Sequence, residues 1–382
     1  MMPDRPSSPR GPLAGLRIIE LAGIGPGPMA AMLLADLGAT VLRIERTEPV
    51  DLGVQRELRY NLLLRSRVPI ALDLKQPDAI ELVLKLVERA DALIEGFRPG
   101  VTERLGLGPD TCLARNPKLV YGRVTGWGQQ GPLAPVAGHD INYISITGIL
   151  DAIGRHGQPP TVPLALVGDF AGGALYLAVG VLAAMLEART SGQGQVVDAA
   201  IVDGVAHMAT TFFGLAAAGC WQPQRGTNIL DSGAPFYDVY QCSDGAWISI
   251  GPIEARFHHN LLRALGLGMA EIEQLGDHTR PATWPRLRTT LAGIFRQRPR
   301  QAWCDALAHL DVCYAPVLSL DEAPRHPHLR ARQTFVDIDG VVEPAPAPRF
   351  SRSGTAMPSP PRAPSPQTLD EVLRDWEIGT SA

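Results

Sequence analysis

Two glycine-flanked segments set a histidine and a carboxylate thirty residues apart: Gly138-His139-Asp140-Ile141-Asn142-Tyr143 and Gly168-Asp169-Phe170-Ala171-Gly172-Gly173. Imidazole and carboxylate are side chains suited to moving a proton near neutral pH. If both face one cleft, a proton can leave one side of a carbon and arrive on the other. Each residue also has a plainer explanation. His139 can be a turn histidine satisfied by hydrogen bonds. Asp169, between the apolar run Leu164–Val167 and a glycine pair, can be a helix N-cap. Glu254, in Gly251-Pro252-Ile253-Glu254-Ala255-Arg256-Phe257, reads as an acid at a helix start.

The elements that must position these groups alternate. Residues 16–21, 40–45, 70–74, 92–94 and 119–125 read as strands, with helices over 29–37 and 77–90. That order implies an α/β fold with a Rossmann-like parallel sheet. A long apolar helix is expected over 172–189 and another over 196–205. Beyond it, strands at 235–240 and 246–250 flank a Ser243-Asp244-Gly245 turn. Helices at 256–265, 283–296 and 302–310 follow, which suggests a smaller α+β domain. The Pro-rich stretch 341–366 must run extended, and a last helix covers 365–374. The expected division is a large domain over 1–190, a linker over 191–225, a small domain over 226–318 and a return to the large domain over 319–382.

Composition narrows the function classes. The 382 residues are 45% apolar and 19% charged, with a formal net charge of −4. Such a balance offers no basic field for nucleic acid and no polybasic membrane patch. The apolar run Ala174–Leu186 is short of the roughly 20 residues a membrane span needs. Five scattered cysteines with no CxxC pair read as free thiols in a reducing, cytoplasmic setting, and no metal site is expected. Residues 1–12 read as a disordered tail. Gly23-Ile24-Gly25-Pro26-Gly27 imitates a dinucleotide fingerprint, yet Pro26 and Pro28 remove the N–H donors that a pyrophosphate would need. It reads instead as a stiff turn that starts a helix.

The chain resembles the family III CoA-transferase and racemase superfamily, and within it the α-methylacyl-CoA racemases. The resemblance runs from Gly11-Pro12-Leu13-Ala14-Gly15-Leu16-Arg17 through Ile94-Glu95-Gly96-Phe97-Arg98-Pro99-Gly100-Val101, Val124-Thr125-Gly126-Trp127-Gly128-Gln129 and the His139 and Asp169 segments. It resumes at Gly233-Ala234-Pro235-Phe236-Tyr237 and ends near Pro348-Arg349-Phe350-Ser351-Arg352. It implies that His139 and Asp169 serve opposite faces of an enolisable 2-methylacyl-CoA thioester, with Glu254 hydrogen-bonded to the imidazole. The Asp169 backbone N–H is then a candidate enolate donor. CoA enters as part of the substrate, and no other cofactor is implied.

By the same resemblance Arg43, Lys75, Arg98 and Arg104 meet the CoA phosphates. Leu72, Asp73, Leu74, Gly96 and Phe97 cradle the nucleotide. Gly138, Asp140, Ile141, Asn142 and Tyr143 complete the acyl-CoA contacts. Two chains are expected to interlock as a homodimer, with Glu254 supplied by the second copy. Two departures stand out: Ala165 replaces the usual asparagine before Asp169, and Val124 stands where a methionine is common. The transferase branch, in which the aspartate is a nucleophile, and a silent acyl-CoA-binding relative remain as alternatives.

Overall fold

The computed structural model describes residues 11–48 and 53–378, so all of the expected tail except Gly11 and Pro12 lies outside the described residues. The chain divides into two compact units: residues 1–147, 163–209 and 332–382, and residues 148–162 and 210–331.

The first unit opens with β1 (Arg17–Leu21), α1 (Pro26–Asp36), β2 (Thr40–Glu45), β3 (Arg67–Ala71), α2 (Pro77–Val87) and β4 (Ala92–Glu95). It continues with α3 (Val101–Arg104), α4 (Pro109–Arg115), β5 (Val120–Thr125) and α5 (Asp140–Ile146). After α6 (Ile149–Ala152), which belongs to the second unit, come a π-helix (Leu166–Leu175), α7 (Tyr176–Ser191), β6 (Val196–Ala200) and α8 (Ile201–Met208). Six parallel strands stand in the order β3-β2-β1-β4-β5-β6. Both faces of the sheet are covered, and its strands are rich in apolar residues, with buried charges such as Glu20, Arg43, Glu95 and Arg123 among them. On one face Ala30, Leu34, Leu177, Val181 and Ala184 pack on Ile18, Val41, Ile94 and Val120. On the other, Val83, Leu86, Val87 and Cys112 pack on Ile19, Leu42, Leu93 and Tyr121.

Two expectations change here. Residues 196–205 are not one helix: Val196–Ala200 is the sixth strand, inside the stretch expected as a linker, and the helix begins at Ile201. The expected helix over 172–189 is longer, running without a break from Leu166 to Ser191, and its first ten residues are wound as a π-helix. By length and composition this helix passes as a membrane span. It nevertheless carries Asp169, and Leu177, Ala178, Val181, Ala184 and Met185 along it belong to the core cluster.

The second unit adds α9 (Thr210–Ala217), β7 (Asp238–Gln241), β8 (Trp247–Ile250), α10 (Ala255–Ala264), α11 (Met269–Leu275), α12 (Trp284–Phe295), α13 (Arg300–Leu307), β9 (Tyr314–Val317) and α14 (Pro327–Ala331). Its three antiparallel strands stand in the order β7-β8-β9, and β7 and β8 are joined through the expected Ser243-Asp244-Gly245 turn, with Gly245 at φ 80. Phe236, Tyr240, Ile248, Leu261, Leu291, Phe295 and Trp303 form its core. The chain then returns to the first unit through a hairpin, β10 (Phe335–Ile338) and β11 (Val341–Pro344), and ends in α15 (Pro366–Asp375).

Candidate active site

In a doubly wound sheet the crevice lies beyond the carboxyl ends of the strands, where the strand order reverses. Here that point falls between β1 and β4. A pocket of about 550 Å³ opens there, of a size suited to a small-molecule ligand. Ala22–Pro26 line it after β1, Arg46 after β2, Gly96–Pro99 after β4, and Val124–Trp127 at the end of β5. The loop before α5 adds Ala134, Val136, Ala137, Gly138 and His139, and Asn142, Tyr143, Asp169 and Ile201 complete the wall.

His139 is the N-cap of α5, with φ −132 and ψ 173, and it lines the pocket. Its own N–H donates to Asn142 Oδ1 at 3.0 Å, and its carbonyl accepts the Asn142 N–H at 2.8 Å, so backbone and cap fix each other. Tyr143 turns back to donate its hydroxyl to the Gly138 carbonyl and meets Trp127 edge-on, with ring centroids 4.8 Å apart. Side chains at Gly126 or Gly138 would occupy the space of that tyrosine ring. Trp127 Nε1 in turn donates to the Val136 carbonyl at 3.1 Å, which holds the pocket loop closed on itself.

Asp169 sits in the π-helix, a winding in which each N–H reaches five residues back, as Phe170 does to Ala165. Ala165 thus contributes its carbonyl to the start of the π-helix, and its methyl side chain offers no hydrogen-bond donor. Burial raises Asp169 from the ordinary carboxylate range to about 6, helped by the negative charge of Asp140 and opposed by His139. Its carboxylate packs against Gly25, where a Cβ would stand 2.9 Å from Oδ2. Gly25 also has φ 69, so both space and conformation require glycine at this position. The turn that imitates a dinucleotide fingerprint is thus the wall behind the carboxylate, and α1 starts at Pro26 as its prolines imply.

The other expected site residues divide. Gly96, Phe97 and Arg98 line the pocket, and the Phe97 N–H donates to Glu95 Oε2 at 2.6 Å, which pins the turn after β4. Leu72, Asp73, Leu74 and Lys75 are not lining residues: Leu72 is in the core, and Asp73 accepts hydrogen bonds from the Lys75 N–H and the Gln76 side chain. Arg104, at the end of α3, and Ile141, on the exposed side of α5, also stand outside the lining. Arg43 is 6% exposed and paired with Glu20 and Glu45, so its guanidinium is already engaged within the protein. Arg46, just past the end of β2, lines the pocket alongside Arg98.

Asp140 is buried, and its Oδ2 accepts the Asp169 N–H at 2.6 Å. That bond corrects the expectation that the Asp169 N–H receives an enolate oxygen, because the donor is already used. Glu254 belongs to the second unit. It caps α10, and its carbonyl accepts the His258 N–H at 2.9 Å. The turn before it is held by His278 Nε2, 3.1 Å from the Ile253 carbonyl, and His278 stacks on the buried His258. Among the described residues no group of three or more His, Cys, Asp or Glu could hold a metal ion.

The arrangement places one imidazole and one carboxylate of raised proton affinity on the same pocket, with Ile24, Phe97, Val124, Val136 and Ile201 as apolar walls and Arg46 and Arg98 as cations. Residues 13–370 match the family described as CoA-transferase family III. The chain is 42% identical over 366 residues to an alpha-methylacyl-CoA racemase of Mus musculus, covering 95% of this chain and 93% of that one. The alpha-methylacyl-CoA racemase of Homo sapiens is 38% identical over 368 residues, with coverages of 95% and 93%. An acetyl-CoA:oxalate CoA-transferase of Acetobacter aceti is 30% identical over 391 residues, covering 97% and 96%. A solved CAIB/BAIF family protein from Brucella suis aligns with a TM-score of 0.82 at 26% identity, covering 96% of this chain and 99% of that one.

Proposed function

Because the chain belongs to CoA-transferase family III, we propose that it is a racemase that interconverts the two enantiomers of 2-methylacyl-CoA thioesters. The observation that carries the reading is Asp169, a carboxylate raised to about 6, on the same pocket as His139. An α-proton beside a thioester is very weakly acidic, so its removal needs a placed base and stabilisation of the enolate oxygen. One of the two residues takes the proton and the other returns one to the opposite face. The N–H groups of Asp140 and Ile141, at the start of α5 next to His139, precede the first bonded N–H of the helix, that of Asn142, and would serve as backbone donors for the enolate. Arg46 and Arg98 would meet the CoA phosphates, and the apolar walls would hold the acyl chain. CoA is part of the substrate, and proton transfer of this kind draws on no further cofactor.

The active form is proposed to be a homodimer in which Glu254 orients the imidazole of His139 of the partner subunit. The exposed apolar residues Leu175, Val179 and Leu186 on the long helix are in keeping with a covered face. Sedimentation of the purified protein as a monomer at assay concentration would count against this.

The test is α-proton exchange in deuterated water with a 2-methylacyl-CoA. Wild-type protein is expected to wash deuterium into the α position. His139→Ala and Asp169→Asn should each lose racemisation by at least a hundred-fold, roughly the contribution of a placed acid or base. As pH falls through about 6, Asp169 takes up a proton and its base form disappears, so the rate should decline about ten-fold per unit below that point. Full racemisation by either variant removes the two-base assignment. The transferase reading has the 30% identical oxalate CoA-transferase in its favour. It makes Asp169 a nucleophile and predicts an acyl-Asp169 anhydride that hydroxylamine traps, together with CoA exchange between two acids.

A further inference from the structure

We propose that Asp140 is a positioning residue for this chemistry: its carboxylate anchors the main chain at Asp169 and sets a second negative charge beside the proton-carrying one. The inference rests on the two-base reading above. Asp140 is the first helical residue of α5, adjacent to His139, and is 8% exposed. Its Oδ2 takes the Asp169 N–H at 2.6 Å, so a single side chain joins the histidine segment to the aspartate segment. Its Oδ1 is buried without a hydrogen-bond partner. Gly168 admits the carboxylate: a methyl group there would overlap Asp140 Oδ2 and press on Ile144 Cγ2 at 3.1 Å.

A purely mechanical link needs only an acceptor, and an amide or hydroxyl would serve. A carboxylate with one bare buried oxygen is the costly choice, and its distinguishing property is charge. The groups that face it from the packed elements are Asp169 on the π-helix and His139 and Tyr143 on its own segment. Asp169 is raised by burial first and then by Asp140, with His139 opposing. The Tyr143 phenol, pushed up to about 12 by burial and by Asp169, is also raised by Asp140. Two carboxylates in one site hold a proton more tightly than either does alone.

Asp140→Asn keeps the acceptor and the volume and removes the charge. Two readouts are compared with wild type: the acid limb of α-proton exchange, and the carbon-13 NMR titration of the Asp169 carboxyl, assigned by its loss in Asp169→Asn. Both are expected to move to lower pH by about one unit, and the plateau rate should fall several-fold because a weaker base takes the proton more slowly. Gly168→Ala, which pushes the carboxylate off the Asp169 amide, should move both in the same direction and serves if Asp140→Asn does not fold. A folded variant with an unmoved carboxyl titration overturns the proposal, whatever its melting temperature. Wild-type protein without α-proton exchange overturns the two-base reading instead, while the carboxyl titration still decides the role of Asp140.

Discussion

Arg43-Ile44-Glu45-Arg46 carries two arginines with opposite duties. Arg43 is buried against Glu20, and its loss leaves that carboxylate to Arg67 alone. Arg46 is exposed at the pocket. Arg46→Ala is therefore expected to raise KM for acyl-CoA about ten-fold with kcat nearly unchanged, the effect of one lost charge-assisted contact. Arg43→Ala should lower the melting temperature instead. Steady-state kinetics and thermal melts on the two variants separate these outcomes, and a KM effect confined to Arg43→Ala would reverse the assignment. His139 and Asp169 were singled out in the sequence by their glycine-flanked segments together with the family resemblance, since each alone also reads as a turn histidine or an N-cap, and the structure brings both to one pocket. The resemblance set Arg43 at the CoA phosphates, and the structure shows it buried and paired with Glu20 and Glu45, while Arg46, at the carboxyl end of the same strand, lines the pocket. The bond from the Asp169 N–H to Asp140 was not legible, since it joins segments that meet only in the folded chain.

The π-helix depends on how closely α8 approaches it. A Cβ on Gly204 would overlap the Gly172 carbonyl, and Gly172 has Val205 against its own missing side chain. Gly204→Ala should therefore push α8 outward at a cost of about 1–3 kcal/mol. Because Gly172 lies three residues after Asp169 in the same helix, the α-proton exchange rate should fall with it. Chemical denaturation and the exchange assay check this, and a variant as stable and as active as wild type would show that the contact relaxes freely. The sequence foretold a helix only from residue 172 and not its winding, because apolar spacing does not tell an i→i+5 helix from an α-helix; in the structure the π-helix packs closely on α8 at Gly172. Val196–Val205 misread for a related reason: a short continuous apolar run is compatible with a buried strand or a helix, and pairing with β5 makes its first half a strand.

At the scale of the whole molecule, the first unit is assembled from three separate stretches of chain. Its return segment is tied in by charge as well as by apolar contact. Arg65, buried, pairs with Asp36 at 2.5 Å and with Glu343 of β11 at 3.0 Å. Removing one partner of a buried pair is strongly destabilising, and Asp36 still neutralises Arg65 in Glu343→Ala. The expected loss is thus at the low end, about 3 kcal/mol, measurable as a lower denaturation midpoint; an unchanged midpoint would mean that the Arg65–Glu343 pair adds nothing to stability. The α/β class, the first five strands of the parallel sheet and the second unit's hairpin were readable from periodicity and turn residues. The return hairpin was missed although Asp339-Gly340, both at positive φ, is a two-residue turn signal between its strands; only its second strand falls in the Pro-rich stretch. Leu369, Val372 and Trp376 of this last segment pack in the same apolar cluster as Ile19, Leu42 and Leu93. A ribosome reading from the first codon releases the earliest strands long before it makes the helix that covers them. While α2 and α4 cover most of that face of the nascent sheet early, its margin over β3 therefore has to wait until almost the entire message has been translated.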